Sequence, residues 1–306
     1  MDSSKTRPND AVEPARETAA EQRVAAIVAS QSYLPADRDL DFLASDSLRG
    51  LRLAMDYEKA ESLLEAHRIA HAIVVFGSAN LREPAIAARQ LGEAQAAALA
   101  SPGDRQIAQA LQRAKRLMQK SAYYDLAREF GRLVSSSQCG PSGDRVVIMT
   151  GGGPGIMEAA NRGASDVGAH SVGLNITLSR EQAPNPYVSP ELCFSFRYFA
   201  MRKLHFLRRA RALVAFPGGY GTLDELFEML TLIQTGKQRA LPVVLVGRTF
   251  WEQAVNIDFL VAEGMITQHD RELYCFAESA AEAWQIICDW HAQAGTEGFP
   301  GTVDRG

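Results

Sequence analysis

The chain has 306 residues, 46% of them hydrophobic, with 32 Lys and Arg against 36 Asp and Glu and a formal net charge of −4. That is ample apolar material for a sizeable core, in one large α/β domain or two small ones, and a pI near 5.9 lacks the global basic signature of a partner for extended nucleic acid while leaving small anions open. Cys139, Cys193, Cys275 and Cys288 lie far apart with no CxxC pair, which argues against a disulfide framework and a structural zinc site and for reduced thiols.

Residues 1–20 are polar and charged and read as a disordered leader without the apolar centre of an export signal. No run approaches the roughly 18 apolar residues of a membrane span, so a cytoplasmic protein is expected. Residues 21–70 read as a helical extension of two or three polar helices, Asp56 to Ala70 the clearest.

From His71 the pattern changes to short apolar runs alternating with helical segments: Ala72–Phe76, Arg145–Met149, His170–Asn175, Arg211–Phe216, Leu241–Val246 and Leu273–Phe276. Continuous apolar runs are what strands covered on both faces look like, and βα alternation makes the crossovers right-handed. The expected fold is therefore α/β, a Rossmann-like doubly wound parallel sheet over residues 71–294, with a flexible tail at 295–306. Between the first two runs, Asp104 to Ser135 has mostly helical spacing, with Arg105, Arg113, Lys115, Arg116 and Lys120 on a solvated face. Leu223, Leu226, Phe227, Leu230 and Ile233 form an apolar stripe that ends at Gly236 as at a C-cap.

In an open parallel sheet, ligands sit beyond the carboxyl ends of the strands. Three turns stand there: Gly77-Ser78, then Thr150 followed by Gly151, Gly152, Gly153, Pro154 and Gly155, and finally Pro217, Gly218, Gly219, Tyr220, Gly221 and Thr222. One glycine-rich turn is weak evidence, since any tight βα connection favours glycine. Three on one edge predict an anion site, where main-chain amides and a helix N-terminus converge on a phosphate. The second turn matches neither GxGxxG nor GxxxxGK[ST] and has no acidic residue placed for a dinucleotide ribose, against both NAD and ATP hydrolysis. Its plainer reading is a tight turn with Pro154 at the first helical position.

Glu225 sits one turn inside the helix that follows the third turn. A carboxylate beside a phosphate cradle repels its ligand unless it serves a group some distance away. Thr222 and Glu225 also have the T-x-x-E spacing of a capping box, which alone justifies both residues. Upstream, the helix from Phe199 to Arg211 carries Arg202 and Lys203 near its start, within reach of the ligand edge. Pro184 to Pro190 holds three prolines and reads as a rigid connection that forms a wall of the pocket.

PGGxGTxxE (Pro217 to Glu225), an Arg-Lys pair whose arginine lies 23 residues before the glutamate, and GGGPGIM (Gly151 to Met157) together resemble the Lonely Guy (LOG) family of nucleoside 5′-monophosphate phosphoribohydrolases, over about residues 71 to 290. The resemblance implies hydrolysis of the N-glycosidic bond of AMP or an N6-modified AMP, no cofactor or metal, and a homodimer or higher assembly with the site near its interface. It implies catalytic roles for Arg202 and Glu225. Gly218, Gly219, Gly221 and Thr222 would hold the 5′-phosphate, with Gly77, Ser78, Gly151, Gly152, Gly153, Gly155, Lys203 and Pro217 completing the substrate site. Two departures bear on base preference: Phe-Ala-Met precedes the Arg-Lys pair where shorter members have a histidine, and the first 70 residues are extra. Members have often been labelled lysine decarboxylases, but no lysine here has a setting for pyridoxal phosphate. The rival readings are a non-catalytic nucleotide-binding module and a hydrolase of another phosphoribosyl compound.

Overall fold

The computed structural model describes residues 18–137, 146–177, 183–296 and 299. Residues 1–17 of the expected leader, most of the expected tail, Cys139 and Arg145 lie outside them. The chain divides into two compact units, Met1–Ala54 and Met55–Gly306. In the first, α1 (Ala19–Val28) starts with a complete capping box between Thr18 and Glu21, and α2 (Leu40–Ala44) is capped by Asp39. Val24, Ile27 and Val28 of α1 remain more than half exposed. The helix α3 (Arg49–Ala66) contributes its residues from Met55 onward to the second unit.

The second unit is built on seven parallel strands: β1 (His71–Phe76), β2 (Val146–Thr150), β3 (Ser171–Ile176), β4 (Cys193–Phe196), β5 (Ala210–Ala215), β6 (Val243–Val246) and β7 (Cys275–Ala277). They lie in the order β4-β3-β2-β1-β5-β6-β7. The chain works outward from β1 in one direction and then restarts at β5 in the other, so the topological switch lies between β1 and β5. All six sequence runs are strands. The seventh strand, β4, is an addition: a short edge strand paired to β3 from Gly173↔Cys193 to Ile176↔Phe196.

Period-two alternation explains why the runs are apolar throughout. Ala72, Val74 and Phe76 point into one core layer with Val147, Met149, Leu213 and Leu245, while Ile73 and Val75 point into the other with Ile148, Val214 and Val246. The first layer is closed by α8 (Phe199–Arg209), α9 (Tyr220–Gln234) and residues Ala60 and Leu64 of α3. The second is closed by α6 (Ala122–Ser136), α7 (Ile156–Asp166) and α12 (Ala280–Ala294). Each fully buried aliphatic side chain here is worth roughly 1.5–3 kcal/mol relative to exposure.

Between β1 and β2 the single long helical pattern is two helices, α5 (Arg105–Gln119) and α6, broken at Lys120 and Ser121, with α4 (Pro84–Ala100) before them. The strand β6 leads into α10 (Arg248–Ala254) and α11 (Ile257–Ala262). Among the described residues no helix is long and apolar enough to cross a membrane.

Candidate active site

The three glycine-containing turns meet at the switch point. Phe216 donates its amide to the Phe76 carbonyl at 2.9 Å, Ser78 donates to the Pro217 carbonyl at 3.0 Å, and Ile156 donates to the Ser78 carbonyl at 3.1 Å. Main chain thus joins the ends of β1, β2 and β5. Such closeness demands glycine at particular points. At Gly155, with φ +78°, a Cβ would lie 2.3 Å from the Ser78 carbonyl oxygen, and at Gly218 one would lie 2.1 Å from Thr222 Oγ1.

Polar side chains that the sequence reading did not single out hold the second turn. Buried Asn161 accepts from Thr150 Oγ1 at 2.7 Å and donates to Ser171 Oγ at 3.0 Å. Asn185 donates from Nδ2 to Asn161 Oδ1 and to the Gly153 carbonyl, both at 3.0 Å, and from its main chain to the Gly152 carbonyl at 2.8 Å. The proline-bounded loop from Pro184 to Pro190 therefore braces the turn through Asn185 and is not part of the cavity lining. Pro154 stands before the N-cap Gly155, so it precedes α7 and does not occupy its first position.

At the third turn the helix starts at Tyr220, with Gly219 as N-cap and no side-chain cap. Thr222 is the third residue of α9, which removes the capping-box reading of Thr222 and Glu225. It also leaves the first amides of α9 without side-chain acceptors, where the positive end of the helix dipole attracts an anion. A Cβ on Gly219 or Gly221 would meet nothing within 4 Å, so open space adjoins their backbone.

A cavity of ≈ 370 Å³ occupies this edge, lined by Gly77, Ser78 and Asn80 after β1, Gly151, Gly153 and Met157 after β2, Asn175 and Ile176 at the end of β3, Phe199 and Arg202 of α8, and Gly219, Gly221, Thr222 and Glu225. Small-molecule sites have this size range. Gly152, Gly155, Pro217 and Gly218 shape the turns without lining the cavity.

Arg202 and Glu225 meet in its wall, Nη2 to Oε1, at 3.4 Å. Glu225 is only 6% exposed. Burial pushes its carboxyl up to about 7, against the pull of Lys203 and Arg202. The Arg202 side chain is largely buried, its guanidinium lies over the rings of Phe199 and Phe206, and its buried Nε has no partner. Burial lowers its pKa, but an arginine stays charged near neutrality. The helix carrying it is fixed from α3: Asp56 Oδ2 accepts the amides of Arg197 and Tyr198 at 2.9 and 3.1 Å, just before α8.

Lys203 points elsewhere. Its Nζ bonds Asp224 at 2.8 Å and Glu228 at 2.9 Å, outside the cavity. Successive helical residues diverge by about 100°, so neighbours in sequence cannot both face one cavity squarely. No described lysine lines the cavity, and a pyridoxal Schiff base has no anchor there. Among the described residues no group of three or more metal-ligating side chains occurs.

The arrangement brings the uncapped start of α9 into one cavity lining with a carboxyl and a guanidinium in contact. A family model described as "Possible lysine decarboxylase" matches residues 157–287. The chain is 29% identical over 166 residues to cytokinin riboside 5′-monophosphate phosphoribohydrolase LOG of Oryza sativa subsp. japonica, covering 53% of this chain and 65% of that protein. It is 28% identical over 165 residues to LOG3 of Arabidopsis thaliana, covering 53% of this chain and 73% of the relative. The X-ray structure of TM1055 aligns at 23% identity with a TM-score of 0.42, covering 71% of this chain and 98% of that one. The chain thus spans somewhat less than two thirds of the rice protein. The two LOG sequence matches bear out the resemblance: over about half its length, this chain is similar to the LOG phosphoribohydrolases.

Proposed function

We propose that this protein hydrolyses the N-glycosidic bond of a nucleoside 5′-monophosphate, AMP or an N6-modified AMP, to the free base and ribose 5-phosphate. The observation that carries this reading is the placement of the buried Arg202–Glu225 pair in the same cavity wall as the uncapped glycine turn at Gly219 to Gly221. The phosphate sits on the first amides of α9 and fixes the ribose, so remote binding energy orients the reacting carbon.

Cleavage passes through an oxocarbenium-like state. The ionised Glu225 stabilises its positive charge and takes a proton from the attacking water, whose oxygen bonds to C1′. The electron pair of the broken C–N bond leaves with the purine, which receives that proton. A carboxyl poised near 7 can both accept and return it. Arg202 holds Glu225 in place and moderates its charge.

In this reading the protein is cytoplasmic and works as a homodimer or larger homo-oligomer. For the oligomer, support comes from Tyr220, which lines the cavity and is 93% exposed, and from the open groove along α9 beside it, where Leu223, Phe227 and Leu232 lie among Lys203, Asp224, Glu228 and Thr231. The test is to incubate the protein with a panel of nucleoside monophosphates and measure free base. Adenine release from AMP is expected; binding without release across the panel would instead establish a nucleotide-binding module.

A further inference from the structure

Phe199 is the first residue of α8 and lines the cavity, yet 51% of it is exposed. Arg202, one turn further on, is largely buried. The two touch: Arg202 Cζ stands 5.1 Å from the centre of the Phe199 ring and 5.8 Å from that of Phe206. Part of the Phe199 ring therefore covers a guanidinium, a favourable placement for a partly desolvated cation, and the rest stays open in the cavity wall. An exposed aromatic surface inside a pocket is a stacking platform for a planar group.

The contacts also place this platform relative to the other parts. The glycine turn opens α9, Glu225 lies one turn inside it, Arg202 meets Glu225, and Phe199 covers Arg202. Tyr220 is exposed too, but it belongs to the glycine turn and so to the anion end. Phe199 instead belongs to α8 and lines the same cavity beside Arg202. For a ligand whose phosphate lies on Gly219 to Gly221 and whose ribose lies at Glu225, it is the exposed ring of the lining that does not belong to the anion end.

Resting on the nucleotide reading, we infer that the base of the substrate stacks on the open part of Phe199, which is thereby the base-recognition residue and, through the ring-to-guanidinium contact, a positioning residue for Arg202. Stacking is sequence-tolerant and rewards a large π-face, so it favours purine over pyrimidine monophosphates.

The experiment is calorimetric titration of Glu225→Gln, used so that substrate survives the measurement, and of the same protein with Phe199→Leu or Phe199→Trp added. Each is titrated with AMP and with ribose 5-phosphate, which has the phosphate and sugar but no base. Phe199→Leu is expected to weaken AMP by about tenfold, in line with base–aromatic stacking, and to leave ribose 5-phosphate within about twofold; Phe199→Trp restores AMP. Equal weakening of both ligands, or none of either, overturns the role of Phe199 while AMP binding by the Phe199-containing protein keeps the nucleotide reading intact. Failure of the Phe199-containing protein to bind AMP at all overturns both.

Discussion

Glu61 grips Arg209 with both carboxylate oxygens, at 2.7 and 2.9 Å, in a buried pair that ties α3 to the end of α8. Arg208 adds a third contact at 2.9 Å. Burial alone would raise the Glu61 carboxyl, yet Arg209, Arg208 and His205 outweigh it and hold it below the ordinary carboxylate range. Removing one member of a buried pair leaves an uncompensated charge, which costs about 3–5 kcal/mol. Glu61→Ala should therefore lower the denaturant midpoint sharply, as read by equilibrium unfolding in urea. The same loss is expected on acidification: the folded pKa is depressed, so this contribution is present above the unfolded pKa and disappears as pH falls through the folded one.

Glu225→Gln should reduce adenine release from AMP by about 10²-fold or more, the scale of a general base, with AMP affinity changed only a few-fold. Steady-state turnover and calorimetry together check this. Wild-type turnover should rise with pH through about 7, because the ionised carboxylate is the active form and burial has raised its pKa to that value. A rate flat from pH 5.5 to 8.5, with chemistry rate-limiting, would remove Glu225 from the proton transfer.

The same shift works against stability. A carboxyl whose folded pKa is raised contributes fully below its unfolded pKa and loses that contribution as pH rises through about 7. Thermal melts at pH 8 should show Glu225→Gln no less stable than the wild type, a site bought at some expense to the fold.

His291 gives the opposite slope. Its Nδ1 lies 3.0 Å from Thr296 Oγ1 and its Nε2 2.9 Å from the Arg211 carbonyl oxygen, and burial pushes its pKa down to about 4. Between about 4 and the ordinary value of 6.5 the unfolded chain binds more protons, so stability falls as pH drops through this window. His291→Gln should flatten that part of the stability–pH curve, measured by unfolding at pH 4.5, 5.5 and 7.

Two glycines of the third turn should behave differently. Gly218→Ala forces a methyl to within 2.1 Å of Thr222 Oγ1 and should deform the turn, lowering both stability and AMP binding. Gly221→Ala meets nothing and lies within α9, where alanine is the better helix former by about 1 kcal/mol. It should keep or raise the melting temperature while weakening ribose 5-phosphate, whose approach to the adjacent amides the methyl obstructs.

Much of the fold was legible because a doubly covered parallel strand has to be apolar on both faces, and the runs at β1, β5 and β6 are. The edge strand β4 escaped because Ser195 interrupts its two buried phenylalanines and, among the described residues, it pairs with β3 alone. Lys120 and Ser121 break the long helical pattern with neither glycine nor proline to mark the place. At the candidate site, the motif singled out Arg202 and Glu225, which the fold brings into contact in one cavity wall. Lys203 was misplaced because adjacency in sequence ignores the angular step of a helix. Asn161 and Asn185 carried no local signal: their role comes from hydrogen bonds between segments that only tertiary structure brings together.

The lacing of Ser78 to both Pro217 and Ile156 has a kinetic corollary. The cavity needs main-chain pairing among segments near residues 78, 156 and 217, so β1 must be seated between β2 and β5 before the three turns of the cavity come together. Such distant pairings carry a high loop-closure cost. Full ligand-binding competence should therefore require that non-local pairing, and two fragments cut within the α4–α5 connection should gain it only upon reassociation.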